Sequence, residues 1–264
     1  MRDLTVALVQ AATVWLDGRA NRELYGTQIL ALAGRADLIV VPETFLSGFS
    51  NDAIASAESM DGLSVRWMSD LAREVGAVIT GSLPIRTDQG VYNRLIWARP
   101  DGGIEHYDKR HLFRMAREHE RYAGGEKRLI VELGGWRIFP QVCYDLRFPV
   151  YLRNRFDAEH QRLDYDLLLF VANWPSARRH AWRTLLRARA IENLAYCVGV
   201  NRVGTDGNQL HYAGDSVALD FLGEPMVELG SEPGVVTAVL SVERLQAHRQ
   251  RFPAWLDADA FTLG

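Results

Sequence analysis

The chain alternates between two hydrophobic periods along most of its length. Residues 4–9 alternate apolar and small side chains, as β-strands do, and apolar positions then recur at about helical spacing over 19–32. The same patterns predict, in chain order, strand 37–41, helix 63–75, strands 77–83, 91–98, 104–107, 129–133 and 136–142, helix 149–155, strand 166–172, helix 178–194, strands 194–200, 211–219, 225–229 and 235–240, and helix 242–251. Strands that alternate with helices in this way are typical of an α/β fold.

Local patterns also indicate how some of these strands are arranged. The region 77–107 predicts an antiparallel meander of three strands, and Gly134-Gly135 predicts a hairpin. Strand 166–172 is apolar on both faces, which favours a sheet covered by other elements on each side. Because the sequence contains no repeat, low-complexity tract or linker, we expect a single domain over residues 1–264.

Three of the predicted strands end in residues that can perform chemistry. Glu43, Lys109 and Cys143 each follow an apolar strand at its carboxyl end. Each residue alone has an ordinary explanation, as a solvated glutamate, a surface lysine or a small buried thiol. Ligands of α/β sheets, however, bind at the carboxyl ends of the strands. We therefore expect the three residues to meet at one rim of a sheet.

A thiol beside an ammonium and a carboxylate is typical of cysteine hydrolases, because the cation favours thiolate and the carboxylate can accept the proton. We expect the thiol of Cys143 to be accessible and its thiolate to be populated near neutral pH. Cys197 lies in the apolar strand 194–200 and should be buried and inert. Lysine is rare, occurring at positions 109 and 127 only among the 30 Lys+Arg residues. This favours a role for Lys109 that a guanidinium cannot fill.

Composition narrows the class of partner. The net charge of −3 and the pI of about 6.2 leave no basic face for nucleic acid or anionic membranes. No apolar run approaches the roughly 18 residues of a membrane span. A small-molecule substrate is the expected partner. Two cysteines make no disulfide framework and the chain opens directly into a strand, so we expect a cytoplasmic protein.

Residues 114–125 are polar and irregular and predict a loop over the site. His106, His111 and His119 match no common zinc spacing, and Cys143 has no second thiol partner, so no metal is expected. A Cys-His hydrolase is an alternative class, and His111 is the histidine best placed for it.

Three segments carry a family resemblance. They read Val-Pro-Glu-Thr-Phe at 41–45, Tyr-Asp-Lys-Arg-His-Leu-Phe at 107–113, and Val-Cys-Tyr-Asp-Leu-Arg-Phe-Pro at 142–149. In this order they resemble the signature segments of the nitrilase superfamily of carbon-nitrogen hydrolases. The resemblance implies a four-layer α-β-β-α sandwich whose protomers form homodimers or larger homo-oligomers.

The same resemblance implies site residues. Glu43 would be the general base, Lys109 the electrostatic stabiliser and Cys143 the nucleophile, with no metal or organic cofactor. An additional catalytic glutamate would be Glu118, although Glu120 is close enough to leave the choice open.

The segment Cys-Tyr-Asp-Leu-Arg-Phe-Pro resembles that of the omega-amidase branch. Enzymes of this branch hydrolyse the terminal amide of 2-oxoglutaramate and related dicarboxylate monoamides. True nitrilases typically carry tryptophan after the cysteine, and carbamoyl hydrolases tend to have a different sequence there. Hydrolysis of N-carbamoyl amino acids or other small aliphatic amides stays an alternative, as does a catalytically silent binding protein.

A substrate with a free carboxylate needs a cation, and Arg147 is the nearest candidate because guanidinium can bind a carboxylate through two hydrogen bonds. The alternative for Arg147 is a structural ion pair with Asp145 or Glu43. The other side chains expected to bind substrate follow the same strand ends: Phe45, Phe113, Tyr144, Asn173 and Trp174.

Overall fold

The computed structural model describes residues 1–262. In chain order the strands and α-helices are β1 Leu4–Gln10, α1 Gly18–Leu30, β2 Leu38–Val40, α2 Leu63–Val75, β3 Val78–Thr87, β4 Gly90–Ala98, β5 Ile104–Asp108, β6 Val131–Leu133, β7 Trp136–Val142, α3 Pro149–Leu152, β8 Phe156–Asp157, β9 Arg162–Leu163, β10 Leu167–Ala172, α4 Arg179–Asn193, β11 Tyr196–Asn201, β12 Val203–Thr205, β13 His211–Ala213, β14 Val217–Leu219, β15 Pro225–Glu228, β16 Gly234–Leu240 and α5 Val242–Arg251. The predicted bounds of α2, β7 and α5 are confirmed.

Two six-stranded sheets form the centre of the protein. The first sheet has the order β16-β1-β2-β3-β4-β5, and the second has the order β15-β14-β11-β10-β7-β6. The predicted meander is confirmed by the antiparallel pairs β3-β4 and β4-β5, and the predicted hairpin by the antiparallel pair β6-β7. Helices α1 and α2 cover the outer face of the first sheet, and α4 covers the outer face of the second. The expected α-β-β-α sandwich is confirmed.

Strand β1 shows why the core strands read as continuous apolar runs. Val6 and Leu8 point into the core shared by the two sheets, whereas Ala7 and Val9 point into the core beneath α1 and α2. Because successive side chains alternate between faces, a strand with a core on both sides must be apolar at every position. The first sheet is therefore buried on both faces at β1, whereas its edge strands β16 and β5 have exposed positions.

The predicted strand 211–219 is wrong in one respect, because it is two strands. Gly214 and Asp215 have positive φ angles of 66° and 55°, which break the extended backbone. Residues before the break pair with β12 in a small ribbon, whereas residues after it pair with β11 in the second sheet. None of the helices within residues 1–262 is both long enough and apolar enough to cross a bilayer.

Candidate active site

The three strand-end residues meet, but on two sheets rather than at the rim of one. Glu43 follows β2 and Lys109 follows β5, both in the first sheet, whereas Cys143 follows β7 in the second. The end of the first sheet therefore provides one face of the site, and the end of the second sheet provides the other. Hydrophobic periodicity defines the faces of a strand but not its sheet, so the sequence could not reveal this division.

Lys109 lies at the centre of a buried charge cluster. Its Nζ donates to Glu43 Oε1 at 2.9 Å and to both carboxylate oxygens of Glu118 at 3.0 Å, and its side chain is 1% exposed. Burial alone would lower the pKa of Lys109, but the charges of Glu118 and Glu43 raise it well above its usual value. The lysine is therefore a fixed positive charge.

The carboxylate of Glu43 is held on both oxygens. Asn93 Nδ2 donates to Oε1 at 2.8 Å, and the backbone N–H of Asn173 donates to Oε2 at 2.7 Å. The side-chain amide of Asn173 also donates to the Glu43 carbonyl at 2.6 Å and to Thr44 Oγ1 at 3.0 Å. Thr44 has a φ of 39°, which few non-glycine residues adopt. These contacts fix both the backbone turn and the direction of its carboxylate.

Glu118 is the glutamate that joins the cluster. Besides binding Lys109, its Oε2 accepts a hydrogen bond of 2.6 Å from the Phe113 backbone N–H. Burial raises the pKa of Glu118, with a further contribution from Glu43, while Lys109 opposes the shift. Glu120 instead forms an exposed ion pair with Arg117. The sequence left the two glutamates open, and the structure brings only Glu118 to the lysine.

Cys143 begins a 3₁₀ turn, Cys143–Arg147, directly after β7. Its φ of 46° lies in the left-handed region, an unfavourable conformation for a residue with a Cβ. Its Sγ lies 4.0 Å from the Asn173 carbonyl oxygen, and the residue is 9% exposed. Strained backbone of this kind is concentrated at functional sites, where the surrounding structure maintains it.

The prediction that the thiolate of Cys143 is populated near neutral pH is wrong. Burial and the neighbouring carboxylate of Glu43 raise the pKa of the thiol well above its usual value, and the opposing effect of Lys109 is too small to reverse the shift. The charge of Lys109 is shared with two carboxylates, which the sequence could not show. The resting nucleophile is therefore a neutral thiol beside a carboxylate that can accept its proton.

Asp145 connects the lysine segment to the cysteine turn. Its Oδ1 accepts a hydrogen bond from the backbone N–H of His111 at 3.0 Å and lies 2.7 Å from His111 Nδ1. Its Oδ2 accepts hydrogen bonds from the hydroxyl of Tyr107 at 2.9 Å and from the backbone N–H of Val142 at 3.2 Å. His111 also stacks on Phe148 with ring centroids 3.7 Å apart. The imidazole is thus engaged away from Cys143, which removes the support for a Cys-His pair.

A cavity of about 490 Å³, its mouth included, lies above the charge cluster. Glu43, Lys109 and Cys143 line it together with five of the six predicted substrate-binding residues: Phe113, Tyr144, Arg147, Asn173 and Trp174. Sequence reasoning missed several other lining residues, among them Phe49, Arg178 and Tyr212. Arg178 could have been suspected, because it closely follows the strand end at Asn173.

Phe45 does not line the cavity, so that prediction is wrong. Its side chain is fully buried, and its ring lies 5.2 Å from the ring of Tyr25 and 6.2 Å from that of Trp67. The left-handed turn at Thr44 directs Glu43 toward the cavity and leaves Phe45 in the core beneath α1 and α2. Within residues 1–262, no three metal-ligating side chains are grouped closely enough to hold an ion.

Comparison with known proteins identifies the class of hydrolase to which these two sheets and their Glu-Lys-Cys cluster belong. The family profile described as "Carbon-nitrogen hydrolase" matches residues 5–250, and the chain belongs to this family, within the nitrilase superfamily. It is 47% identical, over the full length of both chains, to a protein named omega-amidase YafV from Escherichia coli K12. The chain is an amidase.

Two further relatives extend the comparison. The chain is 31% identical to a 2-oxoglutaramate amidase of Bacillus subtilis, over 84% of this chain and 85% of the relative. A crystal structure of XC1258 from Xanthomonas campestris, a CN-hydrolase superfamily protein with an arsenic adduct in its active site, covers 100% of both chains with a TM-score of 0.99 and 61% identity.

The two cysteines should differ in reactivity. Cys143 lines the cavity, whereas Cys197 is fully buried in β11 and burial raises the pKa of its thiol. We expect iodoacetamide to modify Cys143 in the native protein, with loss of activity in parallel, and to spare Cys197 until denaturant is added. Because the thiol pKa is raised, the rate should keep increasing from about pH 7 to about pH 9. Peptide mapping by mass spectrometry reports both sites, and earlier labelling of Cys197 would contradict the placement of the two thiols.

Proposed function

We propose that this amidase hydrolyses the terminal amide of a dicarboxylate monoamide, 2-oxoglutaramate in the first place, to the acid and ammonia. The observation that carries the proposal is an unpaired cation beside the nucleophile. Arg147 lines the same cavity as Cys143, and its guanidinium carbon lies 4.9 Å from the ring centroid of Trp174. The names of the relatives, an omega-amidase and a 2-oxoglutaramate amidase, support the same substrate class.

The surroundings of Arg147 favour a substrate carboxylate over an internal one. Asp145 is occupied by His111, Tyr107 and Val142, and Glu43 is paired with Lys109. Neither carboxylate forms an ion pair with Arg147 anywhere in the described chain, so the alternative of a structural ion pair has no support. A half-buried guanidinium that stacks on an aromatic ring keeps its hydrogen-bonding edge free for a planar anion.

In the proposed mechanism, Glu43 takes the thiol proton as the sulfur of Cys143 attacks the amide carbon. The oxyanion of the tetrahedral intermediate is stabilised by Lys109 and by the backbone N–H of Tyr144, each donor contributing about 3 to 4 kcal/mol. Glu43 returns its proton to the leaving nitrogen, the C–N bond breaks, and ammonia leaves a thioester on the sulfur.

Hydrolysis of the thioester uses the same groups a second time, with water in place of the thiol as the proton donor to Glu43. Glu43 takes a proton from water, the hydroxide attacks the thioester carbon, and collapse of the intermediate releases the acid while the proton returns to the sulfur of Cys143. Glu118 acts as a second anchor for Lys109. The proton stays on the sulfur until a substrate carbonyl is present, in agreement with the raised pKa of the thiol.

The substrate class is tested by a side-by-side assay. We expect ammonia release from 2-oxoglutaramate and from other omega-amides with a free carboxylate, and much slower turnover of nitriles, N-carbamoyl amino acids and neutral amides. Cys143→Ser is the control, because it keeps the shape of the site but lacks a readily ionised thiol. A preference for neutral amides or carbamoyl substrates would overturn the proposed substrate, and activity of Cys143→Ser within about tenfold of wild type would overturn the nucleophile.

Lys109→Arg should lower kcat by about 100-fold or more, nearly as much as Lys109→Ala, because a planar guanidinium cannot contact two carboxylates and an oxyanion from the position of an ammonium. The matched control is Lys127→Arg, a change at the only other lysine, which is exposed and should leave kcat unchanged. Initial rates of ammonia release measure the effect, and circular dichroism confirms that each variant folds. A fully active Lys109→Arg variant would show that the lysine needs only its charge.

Arg147→Ala should raise KM for 2-oxoglutaramate by roughly 30-fold to 150-fold, since one charge-assisted, two-point contact is lost. KM for a neutral amide of similar length, such as pentanamide, should change far less. Arg19→Ala, at an exposed arginine of α1, is the control for general effects of removing a cation. Equal losses on the charged and the neutral amide would indicate that Arg147 only supports the structure.

A further inference from the structure

A second arginine shares the cavity with Arg147. Arg178 ends a short 3₁₀ turn, Ser176–Arg178, that precedes α4, and its guanidinium carbon lies 5.2 Å from the ring centroid of Phe113. Like Arg147, it is half-buried and forms no ion pair with any carboxylate of residues 1–262. Each of the two guanidinium groups is therefore supported by an aromatic ring and has no internal counter-charge.

Trp174 connects the two arginines. Its indole ring supports the guanidinium of Arg147, and its Nε1–H donates a 2.8 Å hydrogen bond to the backbone carbonyl of Arg178. The contact to Arg178 uses the main chain, so it is independent of the Arg178 side chain. A substitution at position 178 therefore leaves the support of Arg147 in place.

The charges that line the cavity are unbalanced. Lys109 is already balanced by Glu43 and Glu118, whereas the guanidinium groups of Arg147 and Arg178 have no carboxylate partner among the described residues. Glu43 is already paired with Lys109 and held by two further donors. A substrate that carries its own ammonium group would find no free carboxylate here and would face two guanidinium groups in a partly desolvated space.

We propose that Arg178 is a specificity-determining residue that selects omega-amides with a 2-oxo group and rejects those with a 2-ammonium group. This inference rests on the proposed function, in which Arg147 binds the substrate carboxylate. A 2-oxo oxygen beside that carboxylate accepts a hydrogen bond from a second guanidinium. A 2-ammonium group at the same carbon has only donors and is repelled. Discrimination of this kind depends on repulsion of the wrong substrate as much as on attraction of the right one.

The experiment compares three amides of equal chain length: 2-oxoglutaramate, glutaramate, which has no substituent at that carbon, and L-glutamine. The measured quantity is the ratio of kcat/KM for 2-oxoglutaramate to that for L-glutamine. In Arg178→Gln we expect this ratio to fall by about tenfold or more, while glutaramate changes much less, because only the contact to the substituent is lost.

Two more changes at position 178 separate attraction from repulsion. Arg178→Lys keeps the charge but loses the planar fork, so it should still reject L-glutamine and lose part of the rate with 2-oxoglutaramate. Arg178→Glu places a carboxylate near the substituent and should raise kcat/KM for L-glutamine above its wild-type value. Arg147→Ala is the contrasting variant, since it should impair all three substrates together. Arg19→Gln is the neutral control on the surface.

The possible failures are distinguishable. If the enzyme hydrolyses 2-oxoglutaramate but the ratio stays within about twofold of wild type in both Arg178→Gln and Arg178→Glu, the role of Arg178 is overturned and the proposed function stands. The same conclusion follows if all three amides lose activity equally in Arg178→Gln. If wild-type enzyme hydrolyses neutral amides but none of the three carboxylate-bearing amides, the proposed function is overturned, and the role of Arg178 with it.

Discussion

The arrangement of the site depends on one buried positive charge. Removing an ammonium from water is unfavourable unless opposite charges and hydrogen bonds surround it, and breaking such a cluster leaves an uncompensated charge in the interior. Lys109 meets this condition with Glu43 from the end of β2 and with Glu118 from the loop after β5. Because Asn93 of β4 donates to Glu43 as well, three strands of the first sheet and one loop are oriented by the same cluster. The loop is held over the cavity by its own glutamate.

The cluster also determines the state of the nucleophile. Burial raises the pKa of the Cys143 thiol, and because two carboxylates share one ammonium, the charge of Lys109 does not offset this effect. The thiol is instead placed next to a proton acceptor and under backbone strain, at the entrance to a turn that Asp145 holds in place. In the proposed mechanism, reactivity is therefore coupled to the arrival of a carbonyl group, and we propose that the two arginines of the cavity select among carbonyl compounds.

Much of this could be predicted from the sequence, for specific physical reasons. The 13-residue helix Leu63–Val75 has a clear apolar stripe and ends at a glycine, and the strand Trp136–Val142 ends where polar residues begin, so local pattern was sufficient for both. Glu43, Lys109 and Cys143 could be singled out because each follows an apolar strand. The burial of Phe45 depends on the φ of Thr44, and the choice of Glu118 over Glu120 depends on the path of an irregular loop. Such features arise from tertiary contacts that no local pattern encodes.

The pairing of β1 with β16 has a consequence for how the enzyme is assembled. Leu4 pairs with Leu240 and Gln10 with Gly234, so β1 completes its hydrogen bonding on this side only with a strand that is very distant in sequence. Until then β1 is an open edge, and on its other side it supports only the three residues of β2 that position Glu43. Contacts this distant in sequence are slow to form because a long loop must close first. We therefore expect the β1-β16 edge of the first sheet to form later than the local antiparallel pairs β3-β4 and β6-β7, whose strands are neighbours in sequence.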